Sequence, residues 1–241
     1  MARIHRRGWC EGTGGNFSCV LQRQPLQLLM APSGVDKGRL RPDQLIVVDA
    51  GGAVIEGQGR ASAETSLHLT IVQVTGAGAV LHTHSQAATL LSRCCAAPVG
   101  PGGRHDPAAD SLTGPIAAMV SCPDGGMVAA SDGSGDSGCK ATAAFVQIRG
   151  LEMLKGLEGI KTHTGSIQIP VLANDQDLPR LSGAARSHLP GAPYGLLIAG
   201  HGLYAWGEDL QQAQRHLEVL EFLLEQRWRE LLLARLMGGG A

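Results

Sequence analysis

The stretch AVLHTHS at residues 79–85 joins an apolar run to two histidines that are separated by one residue. The apolar run predicts a buried strand over residues 79–84. Because side chains alternate along a strand, His82 and His84 should point to the same face and lie close together. Two imidazoles placed in this way form half of a metal site, although two polar residues at the end of a strand would give the same pattern.

A third histidine, His201, lies between two glycines at residues 200–202. The apolar runs on either side predict a strand, a turn and a second strand, and the glycines permit a close approach of the backbone. A catalytic zinc ion typically has three protein ligands and one open position. His82, His84 and His201 fit that number, whereas a histidine such as His201 on its own would more often be structural.

Strands and helices are predicted on both sides of these histidines. Short apolar runs between turn residues predict strands at residues 28–31, 45–49, 54–56, 166–173 and 195–206. Residues 62–64 predict the start of a helix that ends at 76–78, and residues 151–157 look helical. From residue 210 to residue 232 one apolar face recurs at helical spacing, which predicts a terminal helix packed in the core or against another subunit.

The composition favours a compact globular chain. Of the 241 residues, 34 are glycine, 44% are apolar and 17% are charged, so the chain has enough apolar side chain to form a core. Glycine, alanine, proline, serine and aspartate dominate residues 96–143, which predicts a long loop or a disordered insertion. We expect this segment to interrupt one domain that spans residues 1–241.

Charge, hydropathy and cysteine content exclude several classes of protein. The 20 basic and 21 acidic residues leave no basic surplus for binding a nucleic-acid backbone. No apolar run approaches the roughly 18 residues needed to cross a bilayer, and the N-terminal segment lacks the apolar stretch of a signal peptide. The expected location is therefore the cytoplasm, where the six cysteines would be reduced thiols.

Three glycine-rich or hydroxyl-bearing segments indicate an anion-binding site. They are TGGNFS at residues 13–18, APSGVDKG at residues 31–38 and RAS at residues 60–62. Backbone N–H groups in such turns, and at the start of a helix, can converge on a phosphate group. One glycine-rich turn would be weak evidence, but three of them ahead of the histidine pair predict a phosphorylated substrate.

The order of these motifs resembles the class II aldolase/adducin superfamily. The resemblance rests on GTGGNFS (12–18), APSGVDKG (31–38), SAETSLH (62–68), GAGAVLHTHS (76–85), LEMLKG (151–156), IQIPVLAN (167–174) and HGLYAWGEDLQQA (201–213). It implies a three-layer α/β/α fold with a central, mainly antiparallel sheet, assembled as a homotetramer with sites near subunit interfaces. It also implies a hydro-lyase that removes water from 5-methylthioribulose 1-phosphate in methionine salvage. An aldolase or epimerase acting on another sugar phosphate is the alternative, and a non-catalytic adducin-like module would lack the three histidines.

The same resemblance assigns roles to individual residues. One zinc ion per subunit would be held by His82, His84 and His201. The phosphate pocket would consist of Gly15, Asn16, Ser33, Gly34 and Ser62, together with Lys37 and Arg60. The proton carrier would be Glu152 if the chain resembles the dehydratases and Glu64 if it resembles the sugar-phosphate aldolases, and we prefer Glu152. Either carboxylate could instead be a solvated residue of a helix.

Overall fold

A computed structural model describes residues 1–95 and 144–238 of the chain. The insertion predicted at residues 96–143 lies outside the described residues, as do Cys122 and Cys139. The helices are α1 (Ala2–His5), α2 (Thr65–Thr75), α3 (Gln86–Cys95), α4 (Leu178–Arg186) and α5 (Leu210–Gly238). Short 3-10 helices occur at Pro42–Gln44, Glu152–Gly156 and Leu189–Gly191.

One sheet organises the described residues. Its strands are β1 (Asn16–Arg23), β2 (Leu26–Met30), β3 (Ile46–Asp49), β4 (Val54–Glu56), β5 (Ala79–Thr83), β6 (Ala144–Arg149), β7 (Ser166–Leu172), β8 (Gly195–Ile198) and β9 (Gly202–Gly207). Their order across the sheet is β4-β3-β2-β1-β5-β9-β8-β7-β6, and only the β7–β8 pair is parallel. The predicted mainly antiparallel sheet is therefore confirmed.

Helices cover both faces of this sheet. Helices α2 and α4 pack on one face, over apolar side chains that include Val80 and Trp206. Helices α3 and α5 pack on the other face, over apolar side chains that include Leu81 and Leu203. Val80 and Leu81 are neighbours in β5, so the alternation of side chains along one strand supplies both cores. The result is the predicted three-layer α/β/α arrangement.

Strand β5 lies at the centre of the sheet, and all five of its residues are buried. It pairs with β1 on one side and with β9 on the other. In this register His82 lies opposite Asn16 of β1 and opposite Tyr204 of β9. The first histidine is therefore fixed by two ladders of backbone hydrogen bonds in the most buried part of the sheet.

Most of the predicted elements are present, with shifted bounds. The helix predicted after residues 62–64 is α2, which ends at Gly76 in the left-handed conformation (φ 74°) that glycine adopts without strain. The strand-like run at 195–206 is a hairpin of β8 and β9 that turns at Gly200 (φ 64°). The region predicted as helical at 151–157 forms the 3-10 helix Glu152–Gly156.

Two further observations bear on the predictions from composition. The described cysteines, Cys10, Cys19, Cys94 and Cys95, are free thiols. Within residues 1–95 and 144–238, none of the helices is long and apolar enough to span a membrane. The cytoplasmic location and the single-domain organisation remain predictions.

Candidate metal centre and anion-binding loops

Three histidines and one glutamate meet at one end of the central strands. Each of His82, His84, His201 and Glu64 offers a ligand atom, and these four atoms all lie within 4.8 Å of one another. The Nε2 atom of His82 is 2.8 Å from Nε2 of His84 and 3.4 Å from Nε2 of His201. The structure therefore brings together the three histidines that the sequence pattern singled out, although they lie up to 119 residues apart in the chain.

The ring of His82 is held in one orientation. Its Nδ1 atom is 2.9 Å from the carbonyl oxygen of Leu203. A carbonyl oxygen can only accept a hydrogen bond, so Nδ1 carries the proton and Nε2 has a free lone pair directed at the other histidines. The ring of Tyr204 stacks on the imidazole, with the ring centroids 3.9 Å apart and the planes 10° apart. The tautomer and the plane of His82 are thus set before any ion binds.

His84 follows the last residue of β5, where the chain leaves the sheet. Its backbone N–H donates to the carbonyl of Trp9 at 2.7 Å, so the segment before β1 fixes this turn. Burial lowers the pKa of His84 to about 4, and the nearby His82 and His201 add to this effect. The imidazole is therefore neutral at pH 7, and neutral imidazole is the form that binds a metal ion.

His201 lies in the turn between β8 and β9, as predicted, and Gly202 allows that turn to approach the end of β5. A Cβ atom added to Gly202 would lie 2.0 Å from the carbonyl oxygen of Thr83, and φ at Gly202 is 157°. Both the contact and the backbone angle exclude a side chain here. Glycine next to His201 is therefore required for the histidine to reach the other two.

Glu64, the alternative proton carrier in the family resemblance, contributes a carboxylate beside the histidines. It precedes α2 directly, and its Oε1 atom is 2.8 Å from Nε2 of His201 and 3.5 Å from Nε2 of His82. The amide of Asn16 donates to Oε2. Burial acts to raise the pKa of Glu64, but the hydrogen bond from His201 and the nearby ring of His82 outweigh burial and hold the pKa well below its usual range.

The three predicted anion-binding segments also come together. The ammonium group of Lys37 donates to the carbonyls of Thr13 at 3.1 Å and Val35 at 3.0 Å, which joins the first segment to the second. The backbone N–H of Ser33 donates to the carbonyl of Arg60 at 2.8 Å, which joins the second segment to the third. The three loops therefore form one connected wall.

This wall borders the histidine cluster. A Cβ atom added to Gly14 would lie 3.0 Å from Nδ1 of His84, and one added to Gly15 would lie 2.8 Å from the carbonyl oxygen of His82. Gly15 and Gly34 have positive φ angles of 78° and 74°. Glycine therefore lets the first loop pass directly against the imidazoles, so an anion bound by its N–H groups would lie beside the cluster.

Several side chains expected to bind phosphate already have other partners. Lys37 is buried, its pKa is lowered by burial, and two of its three N–H groups are used by backbone carbonyls. Asn16 donates to Glu64, and the hydroxyl of Ser62 accepts from the backbone N–H of Glu64 at 3.2 Å. Arg60 is exposed. Lys37 therefore links the first and second anion-binding segments through hydrogen bonds.

Glu152 is not part of the cluster in this chain. Its side chain is 68% exposed and forms ion pairs with Lys155 and, at 3.7 Å, with His163. The hydrogen bond from Lys155 lowers the pKa of this carboxyl. The preferred proton carrier is thus on the surface of the single chain, whereas the alternative, Glu64, lies among the histidines.

The donor set suits a borderline divalent cation. Zinc binds imidazole nitrogen and carboxylate oxygen, commonly with three protein ligands at catalytic sites. Three imidazoles, with the Nε2 lone pair of His82 directed at the other two and a carboxylate alongside, match that chemistry. The residues present therefore fit a divalent metal ion of the zinc type.

Comparison with known proteins identifies the class to which this fold and site belong. The chain belongs to the class II aldolase and adducin family, because residues 1–228 match the Class II Aldolase and Adducin N-terminal domain. It is 36% identical over 233 residues to methylthioribulose-1-phosphate dehydratase of Serratia proteamaculans, with 95% of this chain and 91% of that protein covered. It is 37% identical over 224 residues to the dehydratase of the same name from Granulibacter bethesdensis, with 92% and 84% covered.

Solved structures share the fold. L-fuculose-1-phosphate aldolase from Thermus thermophilus has a TM-score of 0.59 at 24% sequence identity, with 100% of this chain and 93% of that chain covered. YgbL from Escherichia coli has a TM-score of 0.61 at 22% identity, with 93% and 83% covered. These likenesses confirm the class II aldolase architecture predicted from the motifs.

Proposed function

We propose that this chain is a zinc-dependent hydro-lyase that converts 5-methylthioribulose 1-phosphate to 5-methylthio-2,3-dioxopentyl 1-phosphate and water, a step of methionine salvage. One observation carries the proposal: three imidazoles and a carboxylate meet beside a wall of glycine-rich loops. A metal site next to an anion-binding loop fits a substrate with a polar carbon chain at one end and a phosphate at the other. The names of the relatives support this choice of substrate.

His82, His84 and His201 are proposed to hold the metal ion, one per subunit. When bound, zinc supplies a Lewis acid for the carbonyl oxygen at C2 of the substrate. The N–H groups of the loops at Gly15 and Gly34 hold the phosphate. Because the bound phosphate fixes the orientation of the substrate, it lowers the entropic part of the activation free energy, although the phosphate itself does not react.

The proton transfer requires a carboxylate, and we propose Glu152 of a neighbouring copy of the chain. The carboxylate takes the proton from C3 and returns a proton to the hydroxyl group that leaves C4, so the net loss is one water molecule. Glu152 is exposed on its own subunit, where it is accessible to a second copy. Glu64, which lies beside His201, is the alternative carrier.

A homo-oligomer, and by family resemblance a tetramer, is part of this proposal. Near the C-terminal end of α5, apolar side chains remain exposed in the single chain. They are Leu232, Leu233, Leu236 and Met237. An apolar face of this kind is typical of a subunit contact.

The reaction is tested by identifying the product. The metal-loaded protein is incubated with 5-methylthioribulose 1-phosphate, and the products are analysed by mass spectrometry and NMR. A dioxo compound lighter than the substrate by one water molecule supports the dehydratase. Two shorter fragments, one of them an aldehyde, would indicate the aldolase, which is the function that the position of Glu64 favours. An isomer of unchanged mass would indicate the epimerase.

Mixed oligomers distinguish the two proton carriers. The Glu152→Gln variant keeps the three histidines intact, and the His84→Asn variant keeps Glu152 intact. If Glu152 acts across an interface, a mixed oligomer combines the two intact parts in one site, so mixing the inactive variants should restore activity. The matched control is Glu64→Gln mixed with His84→Asn, because both of those changes affect the cluster of one subunit. An inactive Glu64→Gln together with a fully active Glu152→Gln would reject the assignment of Glu152.

A further inference from the structure

A buried carboxylate on the terminal helix has no role in the reaction described above. Glu221 lies within α5, and only 2% of the residue is exposed. It is four residues after Leu217 and three before Leu224, so it occupies a core-facing position of the helix. Its neighbours on that face are apolar, so a carboxylate here is unusual.

Glu221 contacts the strand that carries the histidines from the opposite side of the sheet. Because side chains alternate along β5, His82 points towards the α2 face and Thr83 points towards the α5 face. The hydroxyl of Thr83 donates to Oε1 of Glu221. The residue between the two histidines is therefore anchored to the terminal helix.

The residue after His84 lies near the same carboxyl group. The hydroxyl of Ser85 acts to lower the pKa of Glu221, as does that of Thr83. The same hydroxyl accepts from the backbone N–H of Ala88 at 3.1 Å, so it also caps the first turn of α3. Thr83 and Ser85 flank His84, so the buried carboxylate is hydrogen-bonded to one neighbour of this proposed ligand and lies close to the other.

This arrangement costs free energy. Burial raises the pKa of Glu221 to about 7, and Glu225, a group of like charge, raises it further. Oε2 makes no hydrogen bond of ordinary geometry within residues 1–95 and 144–238. A buried carboxylate without a cationic partner is often no more stable than an apolar residue of similar volume. Its presence is better explained by what it holds in place than by the stability of the core.

We propose that Glu221 is a positioning residue that fixes His84 through its hydrogen bond with Thr83 and thereby sets the affinity of the site for its metal ion. Outer-sphere partners of this kind orient a ligand without touching the ion. Here the partner acts on the backbone turn that carries the ligand. The inference rests on the proposed metal site and adds a residue from the opposite layer of the fold.

Metal affinity measured on four variants tests this inference. Zinc affinity is measured by competition with a chromophoric chelator, and the visible spectrum of the Co²⁺-loaded protein reports the ligand geometry. Glu221→Leu and Thr83→Val should bind zinc about 10- to 100-fold more weakly, which is the effect typical of losing an outer-sphere partner. Glu221→Gln should stay close to wild type, because its amide oxygen still accepts from Thr83. Glu230→Gln, an exposed change further along α5, is the matched control and should leave affinity unchanged.

The outcomes separate this inference from the proposed function. If wild type binds metal and folded Glu221→Leu and Thr83→Val bind it equally well with unchanged Co²⁺ spectra, Glu221 is merely a core residue and the inference fails. If Glu221→Leu does not fold, Thr83→Val decides, since it removes one hydroxyl and leaves the carboxylate in place. If wild type itself binds no metal, the proposed site fails and the inference fails with it.

Discussion

Gly15 and Gly34 differ in the space around them. This difference gives a quantitative test of the contact between the first anion-binding segment and β5. Both have positive φ angles, 78° and 74°, so an alanine at either position would be strained. A Cβ atom at Gly15 would lie 2.8 Å from the carbonyl oxygen of His82 and 3.0 Å from Cβ of Cys10. A Cβ atom at Gly34 would have no neighbour within 4 Å among the described residues.

The two substitutions should therefore differ in cost. A left-handed backbone costs an L-residue about 1–2 kcal/mol, which both variants would lose. Forcing an extra carbon into a filled space costs about 1–3 kcal/mol more, and only Gly15→Ala meets that condition. Gly15→Ala should thus be less stable than Gly34→Ala by about 1–3 kcal/mol.

Urea unfolding of the metal-free proteins, followed by circular dichroism, measures this difference. Gly15→Ala should also weaken zinc binding, because relief of the contact moves the carbonyl of His82. Equal losses of stability in the two variants would refute the reasoning, since they would mean that the first loop does not press against β5.

Three further predictions follow from the site. Lys37→Met should lower the free energy of unfolding by about 2–3 kcal/mol, because two carbonyls lose a charged donor; a raised KM with unchanged stability would instead make Lys37 a direct phosphate ligand. His68 is fully buried and burial lowers its pKa to about 3, so the unfolded chain binds its proton first and His68 costs stability as the pH falls from about 6.5 to about 3. The stability of His68→Gln should therefore depend less on pH over that range than that of wild type, and parallel curves for wild type and His68→Gln would contradict this. Removing metal with a chelator should lower Tm by an amount that grows with the affinity of the site, and a Tm that does not change would mean that the folded chain holds no ion.

Local sequence patterns were sufficient to predict that the three histidines lie close together. The spacing of His82 and His84 follows from the period of a strand, and the glycines beside His201 indicated a close approach that the contact of Gly202 with Thr83 explains. These features depend on a few neighbouring residues, so the sequence displays them directly. The same holds for α2, whose end is marked by Gly76.

Long-range packing determines the features that local patterns do not show. Strand β1 was not predicted, because its first residues were interpreted as part of a glycine-rich turn. Glu64 joins the histidines only because α2 begins next to Asn16 of that strand. Lys37 remains a predicted phosphate ligand, and its hydrogen bonds to carbonyls of two separate loops are contacts that no local pattern records.

Glu221 did leave a signal in the sequence. A carboxylate spaced four residues after Leu217 and three before Leu224 interrupts the apolar face of the terminal helix. Taken alone, that pattern does not distinguish a buried carboxylate from one that the helix turns towards water. The contact with Thr83, on a strand 138 residues away in the chain, makes the distinction.

The three histidines are proposed to hold the metal ion on which the reaction depends. The metal content of purified protein, measured by mass spectrometry alongside turnover of 5-methylthioribulose 1-phosphate, tests this directly in wild type and His84→Asn. We expect one zinc ion per wild-type chain, with both the zinc and the turnover lost in His84→Asn. Full turnover by metal-free wild-type protein, or an unchanged zinc content in His84→Asn, would contradict it.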